Sequence, residues 1–75
     1  MTIDQLIKTK RLDIGTDSAP IENRFTGESV TLTPEEIAVY DLAIGAEYMG
    51  DYALMNKARE WFIKNNPSAY MVLLD

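Results

Sequence analysis

The sequence predicts a mainly α-helical single domain, built on an αα-hairpin of helix-turn-helix-like outline with a short β-hairpin ahead of the central helix. Three observations carry that prediction. Thr33-Pro34-Glu35-Glu36 opens a helix by several independent devices, and Gly50-Asp51 ends one helix and starts another. Thr26-Gly27 lies between two short alternating apolar runs. The 75 residues make one domain, spanning 1–75. A chain of this size hides only about 60% of its unfolded surface, so a marginal core is expected.

Thr2-Ile3-Asp4-Gln5 reads as a capping box, and Ile3, Leu6 and Ile7 follow at helical spacing, which predicts a short helix over 3–12. Gly15 offers a stop, and residues 15–20 form a loop by composition. A helix this short is marginal in water, so the segment 1–20 must dock or fray. Next, Ile21–Phe25 and Glu28–Leu32 flank Thr26-Gly27. With those two residues as the turn, Asn23 faces Val30 and Ile21 faces Leu32. Ile21, Phe25, Val30 and Leu32 then share the apolar face. Threonine suits this turn less well than asparagine, because a β-branched residue disfavours positive φ.

The central helix runs from Pro34 to about Met49. Thr33 is its N-cap, Glu36 closes the box, Pro34 takes the first helical position, and Leu32 with Ile37 forms a hydrophobic staple. Glu35 and Glu36 put negative charge at the positive end of the helix dipole. Projected around its axis, this helix has two apolar stripes: Val39, Leu42, Ala43, Ala46 and Met49, then Ile37, Tyr40, Ile44 and Tyr48. Such a helix is buried between two layers or lies at a subunit interface. Gly45 weakens its interior, and the expected reason is close approach by another backbone.

Gly50 suits the left-handed residue that ends this helix, and Asp51 the N-cap of the next. Over 52–65, Leu54, Met55, Ala58, Trp61 and Phe62 make one apolar stripe, with Asn56, Lys57, Arg59, Glu60 and Lys64 mainly opposite. Asn65-Asn66-Pro67 stops it. Tyr70–Leu74 suits a strand or a helix, and the Asn66-Pro67 start favours a last short helix over 67–74. The predicted core is Ile21, Phe25, Val30, Leu32, Ile37, Val39, Leu42, Ile44, Ala46, Leu54, Ala58, Trp61, Phe62 and Leu73.

Composition narrows the chemistry. The chain has no cysteine and no histidine, which removes thiolate or imidazole zinc sites and Ser-His-Asp or Cys-His catalysis. It opens without a basic region leading into an apolar run, and no stretch is long enough to span a bilayer. A cytoplasmic protein that does not enter membranes is expected. Asp41, Glu47 and Asp51 do not converge as a metal or acid–base cluster: Asp41 and Glu47 lie about 120° apart around the helix, and Asp51 has its capping role. Tyr40, Tyr48 and Tyr52, like Trp61-Phe62, are ordinary core positions at helical spacing. Thr26-Gly27 lacks the further glycines and the lysine of a phosphate loop. No catalytic, cofactor-binding or metal-binding residue emerges, no cofactor is implied, and a non-enzymatic protein is expected.

Two binding classes remain. The formal charge is −5, and residues 34–50 carry Glu35, Glu36, Asp41 and Glu47 with no basic residue. That acidity disfavours unspecific phosphate binding but leaves room for a local basic face, and a protein partner is expected somewhat ahead of nucleic acid. Tyr40, Ile44 and Tyr48, on the second stripe, are the expected protein interface. There a homodimer is expected slightly ahead of a monomer in which Ile3, Leu6 and Ile7 cover the stripe. The alternative is nucleic-acid binding through the 52–65 helix, with Lys57, Arg59 and Lys64 as base or phosphate contacts and Arg24, Lys8, Lys10 and Arg11 adding phosphate contacts. Aligned on the turn glycine of DNA-binding helix-turn-helix proteins, Ala46 and Met49 fit. Downstream, Asn56 and Arg59 fall where apolar residues belong.

Glu60-Trp61-Phe62, Asn66-Pro67 and Ala69–Asp75, together with Arg24–Glu28, Leu32–Glu36 and Ala38–Asp41, resemble very short accessory proteins of tailed bacteriophages, marine ones included. The likeness covers about residues 23–75. It implies an accessory protein acting inside an infected bacterial cell. It carries no activity and no functional residues to this chain.

Overall fold

A computed structural model describes residues 2–9, 14–23 and 25–74. In order, the elements are α1 (Ile3–Lys8), β1 (Ala19–Glu22), β2 (Ser29–Leu32), α2 (Pro34–Met49), α3 (Tyr52–Asn65) and α4 (Pro67–Leu73). The chain is mainly helical, with one two-stranded antiparallel hairpin placed before the central helix.

Helix starts follow the local chemistry of the sequence. Thr33 Oγ1 accepts from the Glu36 N–H at 3.3 Å, and Glu36 Oε1 accepts from the Thr33 N–H at 2.8 Å. The same reciprocal pair joins Thr2 and Gln5 at the start of α1. Asp51 caps α3 through the Leu54 N–H, and Asn66 caps α4 through the Ala69 N–H. Between α2 and α3, Gly50 takes φ 74°, the Asp51 N–H donates to the Ala46 carbonyl, and the Gly50 N–H donates to that of Glu47. Those bonds satisfy carbonyls that a helix end otherwise leaves open. The stretch after Asn66 is helical, in keeping with its Asn-Pro start. Helix α1 ends at Lys8, short of the expected residue 12. Both the N–H and the hydroxyl of Thr9 turn back on the Gln5 carbonyl, and residues 10–13 lie outside the described set.

The hairpin is correct in its apolar face and wrong in its turn. Its register pairs Ile21 with Val30 and Ala19 with Leu32, two residues from the expected pairing. The cause is Asn23. Its N–H donates to the Glu28 carbonyl and its carbonyl accepts from the Gly27 N–H, so Asn23 and Glu28 close the hairpin in place of a two-residue turn at Thr26-Gly27. Its side-chain Oδ1 accepts from the N–H groups of Phe25 and Thr26, and Gly27 supplies the positive φ of 78°. A shift of two leaves the face unchanged. Leu32 is buried, and Ile21 and Val30 are half-buried. Phe25, expected in the core, is carried out of the strand into the loop and is 88% exposed.

Phe62, Leu32 and Val39 are the largest fully buried side chains, and the rest of the buried set is Ile3 with alanines 38, 43, 46, 58 and 69. Helix α2 packs mainly on α3, α4 packs on α3 and β2, and α1 docks chiefly on α3. Trp61 meets Phe62 edge-on, with ring centres 5.2 Å apart, and its Nε1 donates to Asp4 Oδ1 at 3.0 Å. Of the first α2 stripe, Val39, Ala43 and Ala46 are buried while Met49 is exposed. The expected close approach at Gly45 does not occur. A Cβ there would meet nothing within 4 Å, and the residue lies on the solvent side.

Candidate functional site

One side of α2, with Tyr40 and Ile44 of the second stripe and Ala43 of the first, forms one wall of an open groove. Tyr40 and Ile44 line it with Glu47, opposite Met55 and Arg59 of α3 and Leu73 near the end of α4. Phe25 stands at the hairpin end, and the space enclosed is about 390 Å³. Tyr40 and Ile44 are half-buried, whereas Tyr48, one turn beyond Ile44, is 74% exposed. The structure therefore brings two of the three expected interface residues into one cleft and places the third in solvent.

Two long-range bonds hold this groove in shape. Asn23 Nδ2 donates to the Val72 carbonyl at 2.8 Å, which ties the hairpin tip to α4, while the other side of the same amide orders the loop carrying Phe25. On the far wall, Arg59 Nη2 donates to the Tyr70 hydroxyl at 3.1 Å, and the guanidinium carbon lies 5.8 Å from the centre of that ring. Arg59 is thus a part-buried clamp between α3 and α4. That geometry suits its planar, weakly hydrated guanidinium.

The residues expected to contact nucleic acid do not share a face. Lys57 and Lys64, two turns apart, line a second groove between α1 and α3 together with Trp61, Asp4 and Glu60. Arg59 lines the first groove, on the other side of α3. Helix α3, the expected reading helix, has α1, α2 and α4 packed on it. Lys8 is exposed on α1, whereas Lys10, Arg11 and Arg24 lie outside the described residues. Asp51 is engaged as a cap, and Tyr52 is exposed.

Sequence reasoning missed the roles of Phe25, Met55, Arg59 and Leu73 in the groove. One readable signal was Asn23 four places before Gly27, a spacing that suits an asparagine-nucleated loop better than a two-residue turn. The Arg59–Tyr70 contact had no comparable local sign. Among the described residues no helix is long and apolar enough to cross a membrane. Comparisons with protein-family models, with curated proteins and with solved structures return no match to this chain.

Proposed function

We propose that the chain is a small non-enzymatic binding and regulatory module that takes a segment of another protein into the groove between α2, α3, α4 and the hairpin tip. The phage resemblance adds the setting, an accessory protein working in the cytoplasm of an infected bacterium. The observation that supports this reading most is Phe25. Phe25 is 88% exposed beside a groove that Tyr40, Ile44, Met55 and Leu73 also line, and a large exposed apolar side chain next to a groove suits a docking surface. Its loop is already ordered by Asn23, which lowers the entropic cost of using it as an anchor.

The test is capture by the tagged chain from a bacterial lysate, with and without nuclease, alongside Phe25→Ala. That substitution is expected to leave the melting curve within about 0.5 kcal/mol of the parent, because the ring is exposed. Retention of one defined protein under nuclease, lost with Phe25→Ala, is the expected result. A signal that vanishes with nuclease and with Lys57→Ala/Lys64→Ala, but not with Phe25→Ala, would replace this reading with nucleic-acid binding along α3.

A further inference from the structure

We infer that β2 pairs edge to edge with β2 of a second copy of this chain, making one continuous antiparallel sheet across a two-fold axis. This pairing goes beyond the groove and does not depend on it. The register of the hairpin decides which backbone groups face outwards. The Asn23 N–H donates to the Glu28 carbonyl at 2.8 Å, so Asn23 and Glu28 are a hydrogen-bonded pair. Along an antiparallel ladder, bonded and non-bonded pairs alternate. Ile21 with Val30 and Ala19 with Leu32 are then the bonded pairs. Glu22 with Ser29 and Pro20 with Thr31 turn their backbone groups away from the hairpin.

The two edges are unequal. On β1 the outward groups belong to Pro20, which has no N–H, and to Glu22, which adds a charge. Both are devices that keep an edge from pairing. On β2 the outward groups belong to Ser29 and Thr31, each with an N–H and a C=O, on a strand without proline or charge. Val30 and Leu32 turn to the core, whereas Ser29 and Thr31 are exposed. Among the described residues, no backbone bond from outside the hairpin reaches Ser29 or Thr31. Backbone groups left open in this way take water or another strand.

The open edge is self-complementary. With Val30 opposite the partner's Val30, Ser29 stands opposite the partner's Thr31 and exchanges N–H···O bonds with it in both directions. The axis repeats the same pair on its other side. The facing side chains carry hydroxyls and no charge, so a chain at −5 can align here without setting like charges against each other within the pair. The β1 edges, guarded by Pro20 and Glu22, lie at the two ends of the joined sheet, and the pairing closes at the dimer.

Sedimentation of the full chain from micromolar to millimolar concentration, with amide exchange on the same samples, tests this. A monomer–dimer equilibrium is expected, in which the Ser29 and Thr31 amides become protected as the dimer forms. Exposed double changes test the register. Ser29→Lys/Thr31→Glu puts opposite charges in both cross-strand pairs, whereas Ser29→Glu/Thr31→Glu and Ser29→Lys/Thr31→Lys put like charges there. The first is expected to dimerise at least about tenfold more tightly than either of the others. The Lys/Lys chain is the sharper comparison, because it weakens the dimer while lowering the net charge. Circular dichroism of the dilute variants should match the parent.

A chain that stays monomeric to millimolar concentration would overturn the pairing. So would a dimer whose Ser29 and Thr31 amides exchange as freely as in the monomer, or one indifferent to the three charge variants. Growth beyond the dimer would overturn the closed two-fold contact. Each of these results leaves capture of a protein through Phe25 standing or falling on its own test.

Discussion

Asn66 Oδ1 accepts from the Ala69 N–H at 3.2 Å and so caps α4, while Nδ2 of the same amide donates to Glu36 Oε2 at 2.8 Å. The other oxygen of Glu36 closes the capping box on Thr33. One amide and one carboxylate therefore join the starts of two helices that are thirty residues apart. At an ordinary N-cap, Asn and Asp are nearly equivalent. Here Asn66→Asp keeps the capping oxygen but sets a carboxylate against Glu36, and a loss of about 1–2 kcal/mol is expected. Urea unfolding checks it, with Glu36→Ala as the second arm of a cycle. In the Glu36→Ala background the penalty of Asn66→Asp should largely disappear, and a neutral exchange in the parent would dissolve the junction. The capping box was legible because its partners sit three residues apart. The Asn66–Glu36 bond was not, since no local pattern links positions separated by that much chain.

At the scale of elements, α2 and its cap carry two glycines with opposite expectations. Gly50 has φ 74°, where an L side chain is strained, so Gly50→Ala is expected to lose about 1–2 kcal/mol. Gly45 sits mid-helix with open space around its missing Cβ, so Gly45→Ala is expected to gain about 0.5–1 kcal/mol through helix propensity. Thermal melts decide it, since each kcal/mol moves the midpoint of a domain this small by about 4–8 °C. Shifts of the same sign would contradict the reading of one of the two. The hairpin teaches a related lesson. Its alternation identified the buried face, but periodicity of two is blind to a register shift of two. The loop length came from the Asn23 side chain, whose amide is held by Val72, 49 residues away.

At the scale of the molecule, the buried core among the described residues is Phe62, Leu32, Val39 and Ile3 with several alanines, and partly buried hydrophobics pack against it. Phe62, Leu32 and Val39 are each fully buried, and Ala43, Ala46, Ala58 and Ala69 are buried around them on three helices. Small residues let helices approach closely, yet they contribute little apolar area each. Stability is therefore concentrated in a few positions. Phe62→Ala is expected to cost about 3–5 kcal/mol, a large share of what a small domain possesses. A urea midpoint that falls steeply or a chain already unfolded in water would agree with this. A change below about 1 kcal/mol would show that Phe62 is not central.

The sequence by itself determined the helix starts, the stop at Gly50 and the apolar face of the hairpin, and the Asn66-Pro67 start favoured, without deciding, a helix for the last segment. Each of those rests on residues within one or two turns of one another, where spacing alone dictates which groups meet. Tertiary structure alone decided that Phe25 leaves the core, that α1 docks on α3, that Arg59 turns to Tyr70 and away from Lys57 and Lys64, and that Tyr40 and Ile44 face a cleft. Those outcomes depend on contacts between distant parts of the chain. Asn23 meets Val72, Asp4 meets Trp61 and Glu36 meets Asn66 only after the elements have packed, because each bond needs both partners already placed.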